Sequence, residues 1–313
     1  MSLAPDPLRP PVLPAPAAPM LGNLMAMASM VTWAAGFPLA EALMERWGVL
    51  ALVTARFALA VAMLIPLWML VDGPRAVAAA RWGRGAVIGG IGFGLGAWLL
   101  LIAQRLTDPV TVAIIASATP IAATVIEILF DGRRLNGAFV LGLAASVAGG
   151  AVAVQGPAAG GDLALGAGLA VVACFLFVWA SRATVKSLPG MSDLGRTTIT
   201  LAGGSIMTGA IFLAAYGGGW ASLPEDGWQQ RDIGLLALYA LASLALSQVL
   251  WIASVGRLGV ALASFHINIS PFYVMVILLA LGGGWNWQQA LGAGIVGAGV
   301  VLAQWRRRPR VAH

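Results

Sequence analysis

Polar positions in this chain are sparse, and they punctuate long apolar runs rather than alternating along a strand. Ten such runs can be drawn, at residues 20–40, 49–71, 85–104, 110–130, 137–155, 163–185, 195–216, 233–255, 260–281 and 287–304. Each approaches the roughly 20 mostly apolar residues that a helix needs to cross a bilayer. Runs that stay apolar without alternating exclude a membrane β-barrel. The gaps are short, so no extramembrane domain fits between spans. The pattern predicts an all-α polytopic membrane protein with ten transmembrane helices.

Two runs share an interruption, Ser117-Ala118-Thr119-Pro120 in the fourth and Asn268-Ile269-Ser270-Pro271 in the ninth. A proline removes a backbone donor, and at membrane depth such a break persists only against protein or a water-filled cavity. Pro120 and Pro271 are therefore predicted hinges. Other matches follow in the same order along the two halves. Trp33 answers Trp179, Leu100-Leu101-Ile102-Ala103 answers Leu250-Trp251-Ile252-Ala253, and Asn136, Gly142 and Gly149 answer Asn286, Gly292 and Gly299. Division near Pro157 gives a first five-helix repeat at 20–156 and a second at 157–305. Five is odd, so the second half enters the membrane from the opposite side. The repeats are expected to be inverted, with a substrate site between them.

Composition agrees with the pattern. Hydrophobic residues make up 60% of the chain and charged residues 10%, where a soluble domain carries roughly a quarter charged. The net charge of +6 invites a nucleic-acid partner, but its distribution removes that reading. Arg75, Arg81, Arg84, Arg133, Arg134, Arg182, Lys186, Arg196 and Arg257 fall on the side that also holds Arg9 and the basic tail 306–313. The other side holds Arg46, Arg105 and Arg231. The positive-inside rule places both termini in the cytoplasm. The proline-rich segment 1–19 suits a disordered tail, and the basic tail suits lipid headgroups. The single cysteine, Cys174, can form no intrachain disulfide and is expected to pack.

Few residues could carry chemistry. Arg56 lies inside the second span, where it could meet a substrate carboxylate, satisfy helix carbonyls or snorkel outward. Glu127, near the end of the fourth span, reads as a gating residue or as a partner of Arg133 or Arg134. Ser117, Pro120, Thr124 and Glu127 share one helix face, as do His266, Ser270 and Tyr273, and Tyr239, Ser243 and Ser247. In lipid, polar stripes face the bundle interior or an aqueous path. Of the 12 tryptophans, Trp47, Trp68, Trp82, Trp220, Trp228, Trp285, Trp287 and Trp305 fall near span ends, as an aromatic belt would. Trp33, Trp98, Trp179 and Trp251 lie deeper, where aromatic walls suit flat or cationic ligands. The cavity-lining candidates are these four tryptophans with Phe37, Arg56, Gln104, Ser117, Thr119, Tyr239, Ser243, Gln248, His266, Asn268, Ser270 and Tyr273. No phosphate-binding loop, metal-ligand cluster or paired carboxylates appear, so no enzyme, cofactor or metal is expected.

The early Trp33, Arg56 in the second span and the proline breaks in the fourth and ninth resemble the drug/metabolite transporter superfamily, specifically its EamA-type members, over residues 20 to 305. Members often carry a glycine–glutamate pair after the fourth and ninth spans. Here those stretches read Phe130-Asp131-Gly132-Arg133-Arg134-Leu135 and Leu281-Gly282-Gly283-Gly284-Trp285, without that glutamate. Within the superfamily the chain is similar to the YddG-type aromatic amino acid exporters of bacterial inner membranes. That resemblance implies export of aromatic and other neutral amino acids by alternating access, by a protein working as a monomer. The absence of a midplane carboxylate favours uncoupled movement. A proton-coupled exporter of drugs or cationic compounds, through His266 or Glu127, is the alternative; a polytopic membrane enzyme or a passive channel stands further off.

Overall fold

The computed structural model describes residues 17–132, 137–154, 161–224 and 229–304, and every regular element among them is helical. Eight helices are long and apolar enough to cross a membrane: α1 (Pro19–Met44), α2 (Val49–Asp72), α3 (Trp82–Leu106), α4 (Pro109–Phe130), α6 (Asp162–Ser187), α7 (Asp193–Gly217), α8 (Gln230–Leu258) and α9 (Val260–Ala280). Two further apolar helices, α5 (Gly137–Val154) and α10 (Trp287–Gln304), fall short of that measure, so eight of the ten expected runs qualify as spans among the described residues. The chain is a multi-pass membrane protein. Both tails, Arg133, Arg134, Asn136, Pro157, Trp228 and Trp305 lie outside the described residues.

Local chemistry sets the helix ends. The Asp108 carboxylate accepts from the backbone N–H groups of Val110 and Thr111, both at 2.9 Å, and Pro109 opens α4 where its missing N–H is not needed. Ser192 caps α7 by accepting from the Gly195 N–H at 3.0 Å. Gly259, at φ +80°, lets α8 end and α9 begin within one residue.

Several spans are not regular α-helix. α1 breaks at Ala35, three residues before Pro38, which has no backbone N–H to give the Ala34 carbonyl. α4 breaks at Ser117-Ala118, and α9 passes through a 3-10 segment at Phe265–Ile269. Both resume with the proline in the first turn of the next helical piece. α3 and α8 each contain a π-helical stretch, Gly89–Leu95 and Leu238–Leu246. In these the bonds run to the fifth residue and the turns widen, a distortion common at functional sites.

The helices pair reciprocally. α1 packs on α8, and α6 packs on α3; α2 meets α7, α4 meets α9, and α5 meets α10. Small residues permit the closest approaches. A Cβ on Gly89 would stand 1.6 Å from the Thr200 carbonyl oxygen of α7. On the α5–α10 seam, a Cβ on Gly149 would stand 2.8 Å from the Val296 nitrogen and one on Gly299 2.7 Å from the Gly142 oxygen. For these glycines the requirement is contact.

The aromatic belt expected at the span ends is incomplete. Trp47 and Trp68 are buried in protein, their indole N–H groups donating to Asp232 at 3.4 Å and Asp72 at 2.9 Å. Trp220 and Trp287 are exposed, as belt residues would be. Asp232 also pairs with Arg46 at 2.8 Å, so a buried carboxylate holds the connection between α1 and α2 to the start of α8.

Candidate functional site

Between the reciprocal pairs lies a cavity of about 100 Å³. Its wall draws on α1, α2, α3, α4, α6, α7, α8 and α9. One side carries Trp33 and Phe37, whose rings meet edge to face with centroids 4.9 Å apart. The wall also carries Phe93, Phe177 and Trp251 in a chain, with centroids 5.8 and 5.3 Å apart. Trp251 is fixed by its indole N–H, which donates to the Ser181 hydroxyl of α6 at 2.9 Å.

The polar wall is built largely on the π-helical stretch of α8. Arg56 reaches it from α2 and is 8% exposed. Its Nε donates to the Tyr239 carbonyl at 3.2 Å and its Nη1 to the Tyr239 hydroxyl at 3.0 Å. Its Nη2 donates to the Ser243 carbonyl at 3.0 Å and the Ser243 hydroxyl at 3.2 Å. The widened turn offers carbonyls sideways, and the planar guanidinium fork fits them. Ser29 of α1 donates to the Ser247 carbonyl at 2.8 Å, and Gln104 of α3 donates to the Phe37 carbonyl at 2.8 Å. The first bond ties cavity helices together across the two halves, and the second ties α3 to α1 within the first half. The Gln248 Nε2 is buried with no hydrogen-bond partner. Among the described residues, Arg56 is the sole charged side chain on the wall.

Of the residues the sequence singled out, Trp33, Phe37, Arg56, Gln104, Thr119, Tyr239, Ser243, Gln248 and Trp251 line this cavity. Ser117, Trp98, Trp179, His266, Asn268, Ser270 and Tyr273 do not. Trp98 and Trp179 pack against the main apolar core, and Tyr273 lies between two core clusters. Ser117 and Ser270 donate to the carbonyls of Ile114 at 2.6 Å and Ile267 at 2.7 Å. Thr119 donates likewise to Ala116. These hydroxyls satisfy carbonyls left at the helix breaks, so a polar residue beside a proline serves the backbone first. His266 places Nδ1 3.2 Å from the Ala263 carbonyl oxygen, and Asn268 buries its Oδ1 without a partner. Glu127 is partly buried in the last turns of α4.

The wall also contains Ser29, Phe57, Phe93, Phe177 and Ser247, which were not among the cavity candidates. Ser29, Trp33 and Phe37 are spaced four apart, the repeat of one helix face, and Gly92 and Gly96 mark the same face of α3. Cys174 lines the cavity as well.

Residues 20–155 match the EamA-like transporter family. That EamA-like segment supplies α1 to α5, and with them Trp33, Arg56 and Gln104 of the cavity wall. No curated protein matches the chain. A solved structure described only as the crystal structure of a protein superimposes with a TM-score of 0.67 at 16% identity, covering 90% of this chain and 96% of its own. At that identity the likeness establishes a shared fold, and it extends well beyond the EamA-like segment.

Proposed function

We propose that this protein is a transporter that exports small metabolites, foremost aromatic and other neutral amino acids, across a bacterial inner membrane. On this reading the ten helices form two inverted five-helix repeats with both termini cytoplasmic, and the central cavity is the substrate site. The observation that carries it is the cavity itself. It is walled by aromatic and polar residues of both halves. The reciprocal pairing of α1 with α8 and of α6 with α3 is what an in-plane pseudo-two-fold would generate. The paired π-helical stretches of α3 and α8 support the same symmetry.

Alternating access needs closures at both ends of the cavity, and on this reading two contacts made by arginines at the ends of α3 and α8 serve as them. Arg105, at the end of α3, donates to the Met44 carbonyl beside the connection to α2. Arg257, at the end of α8, pairs with Asp193 at the start of α7 at 3.1 Å. Exchange between the two closures moves the cavity from one side of the membrane to the other. Among the described residues no carboxylate or histidine lines the cavity, which supports facilitative rather than proton-coupled movement. The test is uptake into proteoliposomes of tryptophan, phenylalanine, alanine and a cationic dye, with and without a pH gradient. Saturable tryptophan uptake without a gradient supports the proposal; transport of none of the four overturns it.

A further inference from the structure

The charge inventory of the cavity selects among ligands. Arg56 carries five N–H donors, and the four hydrogen bonds it makes go to Tyr239 and Ser243. Every acceptor is neutral, so the guanidinium is fully hydrogen-bonded on one edge but its charge is uncompensated. One Nη1 N–H remains. A second donor, the Gln248 Nε2, is buried on the same wall with no partner. The backbone acceptors nearby are already engaged: Phe37 by Gln104, Ser247 by Ser29, and Tyr239 and Ser243 by Arg56. The Tyr239 ring face is covered too, with the Arg56 guanidinium carbon 3.8 Å from its centroid. The wall thus has spare donors and a spare positive charge.

We infer that Arg56 and Gln248 form a carboxylate-binding subsite, and that the cavity takes flat apolar monocarboxylates whether or not they carry an amino group. This rests on the reading of the cavity as the substrate site and narrows its substrate class. A carboxylate fills both donors and neutralises Arg56. Its apolar body lies between Trp33 and Phe177. An ammonium group gains no carboxylate from these partners, only the neutral Gln248 amide oxygen, and meets the like charge of Arg56 in a site of low dielectric. Acids lacking the amine are therefore held at least as well as the amino acid, and amines lacking the acid are rejected.

Three indole compounds separate these terms: indole-3-propionate, tryptophan and tryptamine. Binding to the purified full-length protein is measured by calorimetry, and uptake is measured separately in proteoliposomes. Indole-3-propionate is expected to bind as tightly as tryptophan or tighter, and tryptamine at least about tenfold weaker. Gln248→Leu removes an unpartnered donor without breaking any bond, and is expected to weaken both acids by about tenfold. Gln248→Glu places a carboxylate in the same cavity as Arg56, and is expected to abolish acid binding and admit tryptamine. Tryptamine binding equal to indole-3-propionate, or an unchanged ranking in Gln248→Glu, overturns the subsite. Uptake without charge discrimination would leave the transporter standing and remove the subsite. Charge-selective binding without uptake of any compound would do the reverse.

Discussion

The guanidinium of Arg56 lies over the ring of Tyr239, 3.8 Å from its centroid, while donating to that residue's hydroxyl and backbone carbonyl. One side chain of α2 thereby braces the π-helical stretch of α8, joining the two halves at the cavity wall. Arg56→Lys keeps the charge but loses the fork that serves Tyr239 and Ser243 together. The Tyr239 carbonyl keeps its bond from the Ser243 hydroxyl at 2.7 Å, but losing bonds from a charged donor costs about 1.5–3 kcal/mol, so thermal unfolding in detergent should occur at lower temperature. Tyr239→Phe removes only the Nη1 bond and the hydroxyl, and its destabilisation should be smaller than that of Arg56→Lys in the same assay.

Close helix contact in α3 makes a second prediction. Gly89→Ala drives a methyl group into the Thr200 carbonyl, and overpacking of this kind costs about 1–3 kcal/mol. Gly150, in α5, has nothing within 4 Å of a built Cβ, so Gly150→Ala should not lower the unfolding temperature, since alanine is the better helix former. Equal effects of the two substitutions would remove the contact argument for the α3–α7 seam.

Cys174 supplies a native reporter of occupancy. It is the only cysteine in the chain and lines the cavity. A small membrane-permeant thiol reagent should label it slowly, and saturating tryptophan should slow labelling further, as read by intact mass. Labelling at one rate with and without ligand would place the ligand elsewhere.

Rates should be flat with pH. Among the described residues the cavity wall holds neither carboxylate nor histidine, and no other side chain on it has an ordinary titration range between about pH 6 and 8. Initial tryptophan uptake measured across that interval, at equal pH on both faces, should not change. A bell or a step would bring His266 or Glu127, both away from the wall, back into the mechanism.

The spans were legible because bilayer thickness imposes one length on every apolar run. The breaks at Pro120 and Pro271 were legible for a related reason, since proline removes a donor wherever it sits. What those breaks do with their polar neighbours was not. Ser117 and Ser270 looked like cavity residues, yet each hydroxyl turns back onto a carbonyl three residues earlier. The serine stripe of α8 pointed correctly to one face, but its partner could not be read from α8 alone. Arg56 reaches Tyr239 only because α2 and α8 are brought together across the two halves. Trp98 and Trp179 show the same limit. Depth within a span was evident from sequence, whereas the direction each ring faces depends on how α3 and α6 pack.

The most direct measurement of the central claim is tryptophan counterflow in proteoliposomes containing the full-length protein, alongside Ala97→Trp, which fills the cavity from α3. Exchange of external labelled tryptophan for internal unlabelled tryptophan, without any ion gradient and lost in a folded Ala97→Trp protein, is the expected result. Counterflow that persists with the cavity filled, or none in the wild type for any compound tried, would contradict the account.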